Sequence, residues 1–243
     1  MYKRQNITHE FKTPITLIVG PIERAIKISE NEKVIDLLHI VERSSKALLL
    51  LVNQLLDFRK IDSGYLVLNK TSVNIIDWLE NTILPFRAYA NERNIQLNVY
   101  IRVCEFYFIF DEENLRKVIG NLLSNAIKFT PSNGRISIYV ATLKKEENQR
   151  YVYFCVSDTG KGVKKKDRER IFDRFYQASE NTQYSFSGQY GTGIGLYLCK
   201  KIVEEHGGRI FLKKHNGPGT SFAFILPLDS DINPEKKQEK KNI

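Results

Sequence analysis

Residues 121–130 read Asn121-Leu122-Leu123-Ser124-Asn125-Ala126-Ile127-Lys128-Phe129-Thr130, with Pro131 next. Traced back from here, Leu115, Val118, Leu122, Ala126 and Phe129 recur every three or four residues, the period of a helix buried along one side. Asp111 stands before the pattern as a capping residue, and Glu112 and Glu113 complement the dipole in the first turn. Thr130-Pro131 stops it. Asn121, Asn125 and Lys128, spaced by four and three, make a second, polar stripe along the flank. Two neutral oxygen donors and an ammonium group on one helix face suit a hydrated Mg2+ with its phosphates. A solvated face would look similar, although asparagine's middling helix propensity makes two of them there unusual.

Strand patterns surround this helix. Phe106, Phe108 and Phe110 alternate before it, and 135–141 and 151–157 read as strands after it. Upstream, 74–91 forms a helix carrying Pro85 in its later part, and Ile95, Leu97, Val99 and Ile101 alternate. Downstream, a helix near 195–206 ends at Gly207-Gly208, and strands follow at 209–214 and 220–226. Strands interspersed with helices over residues 74–228 predict a layered α/β or α+β domain, large enough for its own core.

The N-terminal residues obey a different period. Ile7, Phe11, Ile15, Ile18, Ile22 and Ile26 fall at steps of three and four, a polar break covers 29–33, and Val34, Leu38, Val41, Leu48, Val52 and Leu55 resume the seam. A seam close to 3.5 residues per turn belongs to helices packed almost parallel, and a short loop makes the pair an antiparallel hairpin. Leu37, Leu49, Leu51 and Leu56 lie off that seam. A second copy of the hairpin would cover them, giving a four-helix bundle in a dimer; packing on the rest of the same chain is the alternative. The expected divisions are a hairpin at 1–62, a linker at 63–73, the second domain at 74–228 and a charged tail at 229–243.

The chain has 243 residues, 42% of them hydrophobic and 27% charged, which excludes a disordered or fibrous protein. Its formal charge of +9 invites acidic partners, although part of the excess sits in the lysine-rich stretch 235–241. No basic stripe interleaved with aromatics is visible outside that tail, so direct nucleic-acid binding is not expected. Cys104, Cys155 and Cys199 are odd in number and lack metal-ligand spacing, as suits reduced thiols. No apolar run reaches the length of a membrane span.

Three further segments carry chemistry. In His9-Glu10-Phe11-Lys12-Thr13-Pro14, His9 points away from the apolar seam, with Thr13 one turn along on the same face. Thr13 stands where a metalloprotease helix would need its second histidine. Pro14 inside a helix costs about 3 kcal/mol, and such violations concentrate at working sites. Asp158-Thr159-Gly160-Lys161-Gly162 follows an apolar strand directly: glycines let the backbone approach a ligand, and a carboxylate there can accept from an exocyclic amine. Gly191-Thr192-Gly193-Ile194-Gly195-Leu196 opens a helix, but Leu196 in sixth place and the missing strand before it depart from the dinucleotide fingerprint. Glycines at a helix N-terminus still make a phosphate cradle, and the polar stretch 177–190 before them suits a lid.

In this order and at these separations, the segments resemble the sensor histidine kinases of two-component signalling. His9–Pro14 is similar to the H box, Asn121–Thr130 to the N box, Asp158–Gly162 to the G1 box, Phe172-Asp173-Arg174-Phe175 to the F box and Gly191–Leu196 to the G2 box. The resemblance spans residues 1–228. It implies an ATP-binding domain of the histidine-kinase and Hsp90-like type behind a dimeric phosphoacceptor hairpin. His9 would accept the phosphoryl group, Glu10 would take its ring proton, and Thr13 would orient water when phosphate is removed from a response regulator. Asn121 and Asn125 would hold Mg2+, Lys128 would lie near the phosphates of ATP, and Asp158 would recognise the adenine amino group. Phe129 and the glycines 160, 162, 191, 193 and 195, with Thr192 and Leu196, would line the nucleotide and its lid, which Phe172 and Phe175 would brace.

One departure stands out. Many relatives carry a basic residue directly after the Phe-Tyr pair of the F box; here it is Gln177, with Arg174 as the available substitute. The partners implied are a second copy of the hairpin and a response-regulator receiver; the wording around His9 resembles that of the large hybrid sensors, which carry the receiver on the same chain. The chain starts eight residues before His9, as a cytoplasmic fragment of a membrane-anchored sensor would. The competing functions are a nucleotide-binding pseudokinase scaffold and an ATPase of the same nucleotide-binding fold. The intact Asn121, Asn125 and Asp158 oppose the first, and the His9 hairpin opposes the second.

Overall fold

The computed structural model describes residues 18–64, 66–104, 106–144, 149–178, 193–214 and 217–228. His9, Glu10, Thr13, Gly191 and Thr192 lie outside them. Contacts group the described residues into two units: those up to Leu66 with those between Arg174 and Gly195, and Val67–Asp173 with those from Leu196 onward.

In the first unit, helix α1 covers 18–28 and α2 covers Glu32–Asp62. The break between them is narrower than the polar stretch 29–33. Asn31 caps α2, its side chain accepting from the Lys33 and Val34 amides at 3.0 and 3.4 Å, so Glu32 and Lys33 already belong to the first turn. Glu32 complements the dipole there. Ser63 closes α2, with Gly64 beyond it in the left-handed region. Lys46 on α2 meets Glu23 on α1 at 3.2 Å. Leu37, Ile40, Val41, Leu48, Leu51 and Leu55 are exposed along α2, an apolar stripe that one hairpin leaves uncovered.

The second unit is an α+β layer. Its elements are β1 (Thr71–Asn74), α3 (Ile75–Glu92), β2 (Gln96–Arg102), β3 (Tyr107–Phe110), α4 (Glu112–Phe129), β4 (Arg135–Lys144), β5 (Arg150–Asp158), α5 (Gly195–Glu205), β6 (Arg209–Leu212) and β7 (Thr220–Leu228). Strands β2, β4, β5, β7 and β6 form one sheet in that order, parallel only between β2 and β4. Strand β1 lies in the stretch expected to be a linker, where it pairs antiparallel with β3, Val73 opposite Phe108. Four residues are too few to show a period, so pairing rather than local pattern creates it.

The strand period of two sends Ile136, Ile138, Val140, Val152, Phe154, Val156, Phe222 and Phe224 to one face, all buried. Against them lie Leu79 and Ile83 of α3 and Leu115, Ile119, Leu122 and Ile127 of α4, also buried. Phe154 stacks on Phe224 at 4.7 Å, and Trp78 meets Phe110 edge-on at 5.0 Å. Each large apolar side chain removed from water contributes about 2 kcal/mol.

Helix α4 is fixed at both ends. Asp111 caps its start, accepting from the Asn114 amide at 2.9 Å and from the Asn69 amide at 2.8 Å. The Asp111 amide in turn donates to His206 Nε2 at 3.1 Å. At the other end, Arg93 donates to the Ile127 carbonyl at 2.7 Å, one that a helix C-terminus leaves open, and the Thr130 amide and hydroxyl both donate to that of Ala126, at 3.0 and 2.6 Å.

Candidate functional site

The last two turns of α4 and the end of β5 meet through the loop 159–162. Asn121, Asn125 and Lys128 are half-buried on the flank of α4, while Leu122, Ala126 and Ile127 turn into the core. The buried Cys199 thiol of α5 donates to the Val118 carbonyl of α4 at 3.8 Å, and burial pushes it up to about 12 and so keeps it protonated. Burial, and secondarily the positive charge of Lys161, hold the Lys128 ammonium below the ordinary lysine value.

Asp158 ends β5 and is only 4% exposed. One carboxylate oxygen accepts from the Gly160 amide at 2.8 Å and from the Thr220 amide at 3.2 Å, so the side chain is aimed by its own loop and by β7. The Thr159 amide donates to the Arg135 carbonyl at 3.1 Å. Gly160 makes the turn possible, because a Cβ there would lie 2.4 Å from the Phe129 carbonyl oxygen. Gly219 is equally confined: its φ is +118°, and a Cβ would lie 1.9 Å from the Asp158 carbonyl oxygen. Gly162 packs against the Gly219 backbone. The loop is therefore pressed onto the end of α4, and Lys161 emerges beside Phe129, its Nζ 5.0 Å from the ring centre; the Lys128 Nζ is 5.4 Å from the same point.

The F-box residues divide between the two units. Phe172 packs edge-on against Phe222 of β7 at 6.0 Å in the second. Phe175 lies 5.5 Å from Phe58 of α2 in the first, with φ at +60°, a strained backbone for a bulky residue. Its amide donates to the Gly193 carbonyl at 3.1 Å, and a Cβ on Gly193 would lie 2.6 Å from the Phe175 carbonyl carbon. Arg174, expected as the substitute for a phosphate-facing base at Gln177, is engaged elsewhere. Its guanidinium pairs with Asp62 and lies 5.0 Å from the Phe58 ring centre, because these residues, four apart on α2, present a carboxylate beside an aromatic face. Gly195 opens α5 and Leu196 follows, half-buried.

The structure thus brings Asn121, Asn125, Lys128, Phe129, Asp158, Gly160 and Gly162 into the second unit. It adds Lys161, Thr220 and Gly219, which motif reading passed over. Glycines on either side of Lys161 signalled a close approach of backbone, but not toward which neighbour. As for a divalent cation, the half-buried asparagine amides fit a hard ion that keeps several waters and draws its anionic ligands from a polyphosphate. Among the described residues no cluster of three or more His, Cys, Asp or Glu offers an all-protein metal site.

Two family models match the chain. One, described as His Kinase A (phospho-acceptor) domain, matches residues 5–64; the other, described as Histidine kinase-, DNA gyrase B-, and HSP90-like ATPase, matches 110–230. Histidine kinase P4 of Formosa agariphila is 34% identical over 92% of this chain and 16% of its own length. Hybrid signal transduction histidine kinase D of Dictyostelium discoideum is 32% identical over 93% of this chain and 15% of its own. Sensor protein SrrB of Staphylococcus aureus is 33% identical over 91% and 37%. The chain therefore spans well under half of these relatives. Full-length ShkA, solved in complex with AMPPNP, matches 96% of this chain and 47% of its own at 25% identity, TM-score 0.76. The catalytic domain of histidine kinase ThkA matches 66% of this chain and 98% of its own at 25% identity, TM-score 0.55. Among the described residues no helix is long and apolar enough to cross a membrane.

Proposed function

The chain belongs to the sensor histidine kinases, and from this we propose that it is a kinase core that phosphorylates its own His9 from Mg2+–ATP and passes the phosphoryl group to an aspartate of a response-regulator receiver. The observation that carries the reading is the buried Asp158, aimed by the Gly160 and Thr220 amides, next to the Asn121–Asn125–Lys128 flank of α4. One group suits an adenine amine and the other a metal-bound polyphosphate, as ATP requires.

Residues 1–62 serve as the dimerising phosphoacceptor hairpin. The exposed apolar stripe of α2 supports this, since a second hairpin would bury it. Residues 74–228 form the catalytic domain, to which β1 adds Thr71–Val73; the stretch before β1 joins the two, and 229–243 is a charged tail. In the transfer, an imidazole nitrogen of His9 attacks the γ-phosphorus as the bond to the bridging oxygen of ADP breaks. The ring proton passes to Glu10, and ADP leaves carrying the electron pair. Asp158 and the loop 159–162 orient the purine, Lys128 draws the phosphates into line, and Gly191, Thr192, Gly193, Gly195 and Leu196 belong to the lid. Phosphoryl transfer asks for such positioning and charge neutralisation more than for covalent help. Mg2+, held by Asn121 and Asn125, would supply neutralisation of the phosphate charge. Thr13 serves the reverse traffic, orienting water against the phosphorylated receiver. The hybrid signal transduction histidine kinase among its relatives supports a receiver on the same chain as the kinase core.

Incubation with γ-labelled ATP and Mg2+ tests the reading. Label should appear on the protein, be lost in acid, survive alkali and be absent from His9→Ala. Label that persists in His9→Ala overturns the assignment.

A further inference from the structure

The second unit holds two lysines against one aromatic ring. Lys128 comes from the last turn of α4 and Lys161 from the loop after β5, and both ammonium groups lie within 5.4 Å of the Phe129 ring centre. They are separated by at most the sum of their two distances from that point. The close approach of Gly160 to the Phe129 carbonyl forces this arrangement, because residue 161 must follow wherever that backbone contact leads. Like charges held together in a half-buried place favour an anion beside them. Lys161 is exposed and Lys128 half-buried. Of the two positions from which a phosphate-facing cation was expected, residue 177 is an uncharged glutamine, and residue 174 is an arginine whose guanidinium is paired with Asp62.

We propose that Lys161 is a second phosphate-binding cation of the nucleotide site, acting with Lys128 across Phe129 and taking the part that the F box leaves to Gln177. This rests on the nucleotide reading above and deepens it. The Phe129 ring gives Lys161 its position, since a cation near an aromatic face is attracted to it, and the exposed ammonium can turn toward an incoming polyphosphate.

The test measures binding of ATP, ADP and adenosine to the whole chain with Mg2+ present, at two ionic strengths. It compares the unaltered protein with Lys161→Gln and Lys161→Arg. Lys161→Gln should weaken ATP and ADP about fivefold, a charge-assisted bond discounted for exposure, and leave adenosine unchanged. It should also flatten the salt dependence of ATP binding. Lys161→Arg should restore both to within about twofold, as the charge is kept. In labelling assays the loss should appear in KM for ATP rather than in kcat. Unchanged ATP and ADP affinity in Lys161→Gln overturns the inference, as does an equal loss for adenosine, which would mean that Lys161 only shapes the loop. An unaltered chain that binds no ATP overturns the nucleotide reading itself, a result distinct from either.

Discussion

Replacement of His206 by phenylalanine removes the one side-chain acceptor of the Asp111 amide. His206 is 5% exposed at the end of α5. Its Nε2 accepts from the Asp111 amide at 3.1 Å, so Nδ1 carries the proton and donates to the Ile202 carbonyl at 2.7 Å. An apolar ring of similar size leaves a buried donor unpaired, which costs about 2 kcal/mol. For a unit of this size that lowers Tm by about 4–8 °C at pH 8. Acid acts on the unaltered protein in the same direction. Burial first, and then the positive charge of Lys70, hold the His206 imidazole below its ordinary value of 6.5, against the opposing influence of the Ile202 carbonyl, Asp111 and Glu205. Stability from the neutral ring is therefore complete above pH 6.5 and is lost as pH falls below it, by at most about 1.4 kcal/mol per pH unit. The gap between the unaltered protein and His206→Phe should narrow by about 1 kcal/mol between pH 7.5 and 5.5. His206→Gln, which can still accept, should keep most of the stability at pH 8 and lose the slope. The sole tryptophan, Trp78, is the reporter: it is buried and donates to the Glu112 carbonyl at 3.2 Å, next to the cap in question. Parallel melting curves at every pH would falsify the neutral-acceptor assignment.

Other outcomes follow from the packing. Phe154→Ala, which empties the place stacked on Phe224, should cost about 3–5 kcal/mol in urea unfolding followed through Trp78. Gly160→Ala should push the loop off the Phe129 carbonyl and weaken adenine nucleotides about tenfold or more, by equilibrium binding, with the sheet's circular dichroism retained. Unchanged affinity there would show that the loop takes no part in binding. Asn125→Ala should reduce Mg2+–ATP affinity about tenfold while the dimer, measured by light scattering, persists; a dimer lost with it would mean that the substitution unfolds the chain.

The sequence disclosed α4 almost to the residue because its signals are local: a capping aspartate, a period near 3.6 and a proline stop. The same holds for Gly195 at the start of α5. What it concealed depends on partners distant in the chain. Strand β1 exists because Val73 finds Phe108. Arg174 stands near Gln177 in sequence, and its pairing with Asp62, 112 positions away, is not written in either segment. Lys161 sat unnoticed inside a recognised motif, since its significance lies in the ring of Phe129, which a glycine contact brings alongside. His206 carries no motif at all, and only burial plus a backbone donor reveals what it does.

The placement of the two lysines has an electrostatic logic of its own. Phe129 is the last residue of α4, so the negative end of that helix's dipole faces the loop 159–162. Asp158 adds a carboxylate at the same place, buried and aimed by two amides. A polyanion approaching here meets the reverse of the usual phosphate site, in which a helix N-terminus supplies the favourable field. Two helix-end carbonyls are already silenced, that of Ile127 by Arg93 and that of Ala126 by Thr130. The remaining field must be offset by charge at the site itself. A half-buried Lys128 alone does this at the expense of its own solvation, which depresses its basicity. A second ammonium on an exposed, rotatable stem adds positive potential without a further burial cost. Removing Lys161 should therefore move the Lys128 ammonium back toward its ordinary value in the empty protein, even as it weakens phosphate binding. Titration of Lys128 by NMR in Lys161→Gln reads that change directly, and a Lys128 that titrates as before would show that the two charges do not sense each other.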